Sequence, residues 1–258
     1  MKRKRIVFGL ISASALVVAG FLLLTFPPHR AISKVSKNAK ALMYPGFGIW
    51  LPPDYEVHGI DVSRHQRKID WESVSEHTHN NVGINFAFIK ASEGRTIRDN
   101  YFSDNWKAAK DNNILRGAYH FFRPHLTPEE QFSLFKSQVK LEKEDLPPVL
   151  DVELRGNCPP ARLKKNVKRW LVMAEKQYGV KPILYTSYSF YKHYFSGKEF
   201  KEYHLWIAHY ATEDLNRLTE KWNFWQHNES GRVKGIKGDV DFNVFKGDYD
   251  DLLRMCKK

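Results

Sequence analysis

Asp151 and Glu153 close the apolar run Leu146-Pro-Pro-Val-Leu-Asp-Val-Glu153, and no other pair in the chain points so directly to chemistry. Alternate residues of a strand share a face, so both carboxyls point the same way, about 6–7 Å apart along the strand. Charge at the end of a buried strand is expensive. The cost is intelligible where one carboxyl keeps its proton and acts as an acid while its neighbour stays ionised, the division of labour that cleaving a glycosidic bond needs. A D-x-E pair also occurs on solvated strand ends, so its surroundings must decide.

Those surroundings alternate short apolar runs with amphipathic stretches. The pattern predicts strands at Val57–Val62, Asn85–Ser92, Leu115–Phe122, Pro147–Glu153, Pro182–Ser187, His204–Tyr210, Trp222–His227 and Asp239–Val244. Helices are expected at Trp71–His79, Tyr101–Asn112, Pro128–Glu142 and Pro160–Tyr178. Strand-helix alternation implies a parallel sheet, and eight strands fit a closed α/β barrel of the TIM type. The late connections are too short for full helices, so the final third should be strand-rich and helix-poor. In such a barrel the chemistry sits at the C-terminal ends of the strands. Asp61, Glu93, Tyr119, His120, Asp151, Glu153, His209, Tyr210, Gln226, His227 and Asp241 all fall late in, just after or within these strands. Acidic side chains converging on one rim repel, which raises the pKa of at least one.

The barrel is expected over residues 54–258, after a basic N-terminus and transmembrane helix (1–26) and a linker (27–53). Lys2, Arg3, Lys4 and Arg5 precede an uncharged stretch from Ile6 to Phe26, long enough to span a bilayer. Leu22-Leu-Leu-Thr-Phe-Pro-Pro28 offers no small-x-small cleavage site, which favours an uncleaved anchor over a signal peptide. The N-terminal charges favour a single-pass orientation with the barrel outside the cytoplasm of a bacterial cell. The formal net charge of +12 does not mark a nucleic-acid binder: the first fifty residues hold eight lysines and arginines and no acid, leaving the rest at 33 basic against 29 acidic. Cys158 and Cys256 are too few for a disulfide framework or a Cys-rich metal site, and their pairing stays open. The scattered histidines form no H-E-x-x-H pair, and no Gly-rich phosphate loop follows an early strand, so no metal or cofactor is expected.

In order and spacing, these motifs resemble the glycoside hydrolase family 25 lysozymes, the Chalaropsis-type muramidases. The resemblance runs from His58 to about Leu252. It is carried by His58-Gly-Ile-Asp-Val-Ser63 with Gln66 and Ile69-Asp-Trp71, Phe86-Ala-Phe-Ile-Lys-Ala-Ser-Glu-Gly94, Gly117-Ala-Tyr-His-Phe-Phe122, Val149-Leu-Asp-Val-Glu153, Leu184-Tyr-Thr-Ser187, Leu205-Trp-Ile-Ala208, Trp225-Gln226 and Asp241-Phe-Asn-Val-Phe245. Arg67 and Asp99-Asn100 depart from the usual pattern without touching an acid. The resemblance implies five β/α units with a strand-rich closing section, and cleavage of the β-1,4 bond between N-acetylmuramic acid and N-acetylglucosamine in peptidoglycan. It also implies a catalytic set of Asp61, Asp151, Glu153 and Asp241.

Glu153, at the outer tip, is expected to be the acid, with Asp151 ionised below it. Retention through substrate assistance and inversion through an activated water both stay open. Asp61 and Asp241 are expected to position the sugar; an Asp at a strand end otherwise caps a turn or pairs with a cation. Tyr119, Tyr185, Trp206, Tyr210 and Trp225 are candidate sugar platforms beside Gln226, although most barrel aromatics are core filler. The expected partners are peptidoglycan glycan strands and, through residues 6–26, a membrane; the protein is expected to act as a monomer. A barrel that binds without turnover, and a hydrolase of another N-acetylated glycan such as chitin, are the competing readings.

Overall fold

The computed structural model describes residues 41–258. The expected membrane helix over 6–26 lies outside the described residues. Among the described residues, no helix is long and apolar enough to cross a membrane.

Eight strands close into a barrel: β1 (Val57–Val62), β2 (Phe86–Glu93), β3 (Leu115–Phe121), β4 (Val149–Asp151), β5 (Ile183–Ser187), β6 (His204–Ala208), β7 (Phe224–Gly231) and β8 (Val240–Phe245). Strands β1 to β7 run parallel to their neighbours, and pairing of β1 with β2 and with β8 closes the ring. The sheet is mixed rather than all-parallel, because β8 is antiparallel to both β7 and β1. The cause lies in the connection: only residues 232–239 separate β7 from β8, and a parallel return needs a crossover of a dozen residues or more. Reversal has a functional consequence. Asp241, near the start of β8, sits opposite Asp61, near the end of β1.

Helices α1 (Trp71–Glu76), α2 (Phe102–Asp111), α3 (Pro128–Gln138) and α4 (Pro160–Tyr178) pack outside the early strands. Asp70 and Thr127 cap α1 and α3 by accepting from Ser73 and Glu130 backbone N–H groups, and left-handed Gly179 ends α4. Helix α1 stops before His79 because Thr78–His79 pairs with Val82–Gly83 around Asn80 and Asn81, both at positive φ. After β5 the chain makes only broken helical turns between Tyr188 and Phe200, and β6 to β8 are joined by loops and one 3-10 turn. A short helix, α5 (Tyr249–Met255), follows β8. The final third is strand-rich, as its short connections require.

The barrel interior is packed from below by Val57, Phe86, Phe88, Val149, Ile183, Trp206, Phe224 and Phe245. Room for the Phe86 and Phe88 rings comes from Gly59 and Gly117, where an added Cβ would lie 2.5 Å from a ring carbon. One inward position above Gly59 comes Asp61, and one above Ile183 comes Tyr185, so the polar layer rests on an aromatic floor. A larger apolar shell lies between the strands and helices.

Residues 42–51, within the segment expected as a linker, form an antiparallel hairpin, Leu42–Tyr44 with Ile49–Leu51. Its turn is anchored: buried Phe47 packs on Phe242 at 5.2 Å, and its carbonyl accepts from the Arg232 N–H at 2.8 Å.

Candidate active site

Strands β1, β4, β7 and β8 bring Asp61, Asp151, Gln226 and Asp241 to one rim, with Glu153 just beyond the end of β4. Backbone bonds hold that end in register. The Phe122 N–H donates to the Asp151 carbonyl at 2.8 Å and the Val152 N–H to the Tyr185 carbonyl at 2.9 Å, while Thr186 Oγ1 donates to the Val152 carbonyl at 2.7 Å. Extended geometry therefore persists past Asp151 and puts both carboxyls on the inner side.

Asp61 is buried and richly bonded. Its Oδ2 accepts from Gln226 Nε2 at 2.8 Å and from Asn243 Nδ2 at 2.7 Å. Burial pushes its pKa up to about 6, against hydrogen bonds from Asn243, Gln226 and Asp241 that favour the charged form. Its neighbour Asp241 is pushed up to about 9, first by burial and then by the negative charge and hydrogen bond of Asp61. The two titrate apart: near neutral pH Asp241 keeps its proton and donates to ionised Asp61.

A second tier orients these donors. Gln226 Oε1 accepts from Tyr185 Oη at 2.8 Å and Tyr210 Oη at 2.7 Å, which fixes the amide so that its NH2 faces Asp61. Asn243 Oδ1 accepts from Trp206 Nε1 at 2.8 Å, which does the same for the second amide.

Asp151 is built oppositely. It is buried, and its Oδ1 has no hydrogen-bond partner. Burial raises its pKa well above the usual carboxylate range, and the charge and hydrogen bond of Glu153 add to the rise, with Lys90 opposing. Glu153 itself is exposed. The sequence reading left Asp151 ionised; burial instead makes it the favoured holder of the pair's proton, because a charge there is cut off from water and finds no donor at Oδ1.

Among the expected sugar platforms, Tyr119 is partly exposed and Tyr210 is 48% exposed, whereas Tyr185 is buried under Gln226. Trp206 and Trp225 are only 2% and 1% exposed and offer no ring face to a sugar. Trp206 stacks on Phe88 with centroids 4.4 Å apart; Trp225 lies in the outer shell against Tyr55 and Trp222. Side-chain alternation explains the latter, since Phe224 and Gln226 point inward and Trp225 must point out. The sequence reading did not find Asn243, although its place one inward step from Asp241 in Asp241-Phe-Asn243 was a usable signal.

Glu93 stands apart from the acidic set. Burial would raise its pKa, but hydrogen bonds from Lys90 at 2.8 Å and from Arg123 outweigh it and hold the carboxyl below its usual range. His120 is buried between Ser92 Oγ at 2.8 Å and Gln131 Oε1 at 3.3 Å, and burial lowers its pKa to about 4, so it is a neutral structural residue at pH 7. Cys158 and Cys256 are separate buried thiols.

The profile of glycosyl hydrolases family 25 matches residues 60–236, which include every site residue except Asp241 and Asn243. The chain belongs to glycosyl hydrolase family 25. The uncharacterized protein YegX of Escherichia coli (strain K12) is 46% identical over 206 residues, spanning 80% of this chain and 75% of that protein. Lysozyme M1 of Streptomyces globisporus is 33% identical over 215 residues, or 78% of this chain and 71% of that protein. The solved family 25 glycosyl hydrolase from Bacillus anthracis superposes with a TM-score of 0.70 at 31% identity, over 85% of this chain and 98% of that one. Family 25 membership agrees with the resemblance drawn from the motifs.

Proposed function

We propose that this family 25 chain is a muramidase that cleaves the β-1,4 bond between N-acetylmuramic acid and N-acetylglucosamine in peptidoglycan. The observation that carries this reading is the stacked pair at β4, a buried Asp151 with an unpartnered oxygen beneath an exposed Glu153. Burial, with the charge and hydrogen bond of Glu153, raises the Asp151 pKa well above the usual carboxylate range, which favours a proton on Asp151. When a leaving oxygen occupies the rim, Asp151 passes the proton across their hydrogen bond to Glu153, Glu153 delivers it to the leaving oxygen, and both carboxyls are left ionised. An ionised Asp151 whose Oδ1 has no donor is a strong electrostatic partner for the positive centre forming at the sugar, or for the substrate's own acetamido group. Ionised Asp61 keeps the rim electronegative, and protonated Asp241 donates a hydrogen bond. Of the five expected platforms, Tyr119 and Tyr210 are the ones with surface free to meet sugar. Carboxyl groups supply both proton transfer and charge stabilisation, so the reaction requires no metal.

The test is a parallel assay on peptidoglycan and chitin oligomers with analysis of the reducing ends released. Muramic acid ends from peptidoglycan, without chitin cleavage, are expected. N-acetylglucosamine reducing ends, or cleavage of chitin alone, would defeat the assignment.

We further propose that residues 6–26 hold the protein in a bacterial membrane with the barrel outside the cytoplasm. The support is an uncharged stretch of Ile6 to Phe26 preceded by four basic residues. Full-length protein should fractionate with membranes, and a chain beginning near Pro53 should not. Mature protein starting after Phe26 would instead establish a cleaved signal.

A further inference from the structure

The hairpin ahead of the barrel carries an indole where stability gains little from one. Ile49 and Leu51 are buried, but Trp50 between them is 57% exposed. Its cross-strand partner Met43 is exposed as well. Trp50 lines a groove of about 570 Å³ with Pro52, Tyr210, Thr212, Glu213 and Asn228, a volume within the ~300–1,000 Å³ typical of small-ligand clefts.

Both walls of this groove are fixed. Phe47 packs on Phe242 and His77, at 5.2 and 4.7 Å between ring centroids, and holds the hairpin down. The loop carrying Tyr210 is pinned by the Trp225 indole donating to the His209 carbonyl at 2.8 Å and by the His209 N–H donating to the Gln226 carbonyl at 3.1 Å. An exposed aromatic on a rigid mount is a preformed contact surface that gives up little entropy when it binds.

Continuity with the active site indicates the occupant. Tyr210 lines the groove, and its hydroxyl donates to Gln226, which in turn donates to Asp61. A chain lying across the rim therefore passes from the carboxyls over Tyr210 towards Trp50. The groove is also polar: Thr212, Glu213 and Asn228 line it, and the Asn228 NH2 has no partner among the described residues, its carbonyl oxygen being taken by Ser230. Apolar ring faces beside hydroxyl, carboxylate and amide groups suit a pyranose, which presents C–H on one face and hydroxyls around its edge. A lipid surface would leave those polar groups unpaired.

We propose that Trp50, with Tyr210 and the Thr212–Asn228 side of the groove, forms a distal sugar subsite for the glycan strand whose cleavage is proposed above, on which this inference rests. Trp50 lies outside residues 60–236, the part matched by the family profile. The subsite favours long strands over short ones.

The test compares full-length wild type, Trp50→Ala and Trp50→Tyr on peptide-free peptidoglycan tetrasaccharides and octasaccharides, measuring cleavage kinetics and, separately, binding by calorimetry. Trp50→Ala should lower the octasaccharide-to-tetrasaccharide ratio of kcat/KM by about tenfold, through KM, and weaken octasaccharide binding in the same proportion, the scale of one lost aromatic contact. Trp50→Tyr should keep most of that ratio. No change in Trp50→Ala overturns the proposal, and so does an equal loss on both lengths, which would place Trp50 in the catalytic cleft or the fold. Weaker flotation with phosphatidylethanolamine–phosphatidylglycerol vesicles alongside unchanged glycan binding overturns it in favour of a membrane-facing role. If wild type binds octasaccharide through Trp50 but cleaves neither strand, the subsite stands and the muramidase reading falls.

Discussion

Two pairs of carboxyls face each other across one rim, and the fold treats them oppositely. Asp61 is tied through Gln226 and Asn243 into Tyr185, Tyr210 and Trp206, and Asp241 bonds to Asp61. Asp151 has a buried oxygen with no donor, and its partner Glu153 lies open to solvent. A carboxylate that keeps its donors is held in place in a known charge state; one that lacks them is poised to change charge. The first pair therefore reads as a fixed scaffold and the second as the site of proton movement.

Substitutions break this contrast in graded ways. Asp151→Asn keeps the shape and removes the charge proposed to support the positive centre. Turnover should fall by about two orders of magnitude or more, without recovery on an aryl glycoside whose leaving group needs no protonation. Recovery on that substrate would assign Asp151 to proton donation. Asp241→Asn should cost about tenfold in kcat/KM, because an amide can still donate to Asp61.

The same substitution should stabilise the fold. An acid whose folded pKa is raised contributes stability that is complete below its unfolded pKa and is lost as pH rises through the folded one. For Asp241 that window runs from 3.8 to about 9. Removing the group should therefore raise stability by about 1–3 kcal/mol near pH 8, measured by urea unfolding, with a smaller gain near pH 5. An unchanged difference across that range would show that Asp241 does not carry the proton assigned to it.

A smaller effect tests the supporting tier. Gln226→Leu removes a hydrogen bond that favours ionised Asp61, so the acidic limb of the kcat/KM profile, expected near the Asp61 value of about 6, should move upward. A limb that stays in place would mean that Asp61 does not set it.

Much of this was legible in the sequence because burial and alternation leave period-two and period-3.6 traces. Seven of the eight strands fall within two residues of their expected bounds, β7 runs four residues further to Gly231, and α4 matches end to end. The reversal of β8 was missed because strand direction is set by connection length, which the hydrophobic pattern does not encode. Trp206 and Trp225 were misread for a related reason: residue type cannot say whether an aromatic in a strand end faces the rim, the aromatic floor or the outer shell. The hairpin at 42–51 was passed over because three-residue strands are too short to show periodicity. The resting proton of the Asp151–Glu153 pair was misplaced because two identical groups are told apart only by burial and donors.

The account rests on Glu153 as the residue that hands over the proton. The most direct measurement is Glu153→Gln assayed side by side on native peptidoglycan and on the aryl glycoside that needs no protonation, with glycan binding checked by calorimetry. Binding should persist, turnover of peptidoglycan should fall by about two orders of magnitude or more, and the activated substrate should recover most of the lost rate. Cleavage of native peptidoglycan by Glu153→Gln at the wild-type rate would contradict the account and move the acid across the rim to Asp241 or Asp61.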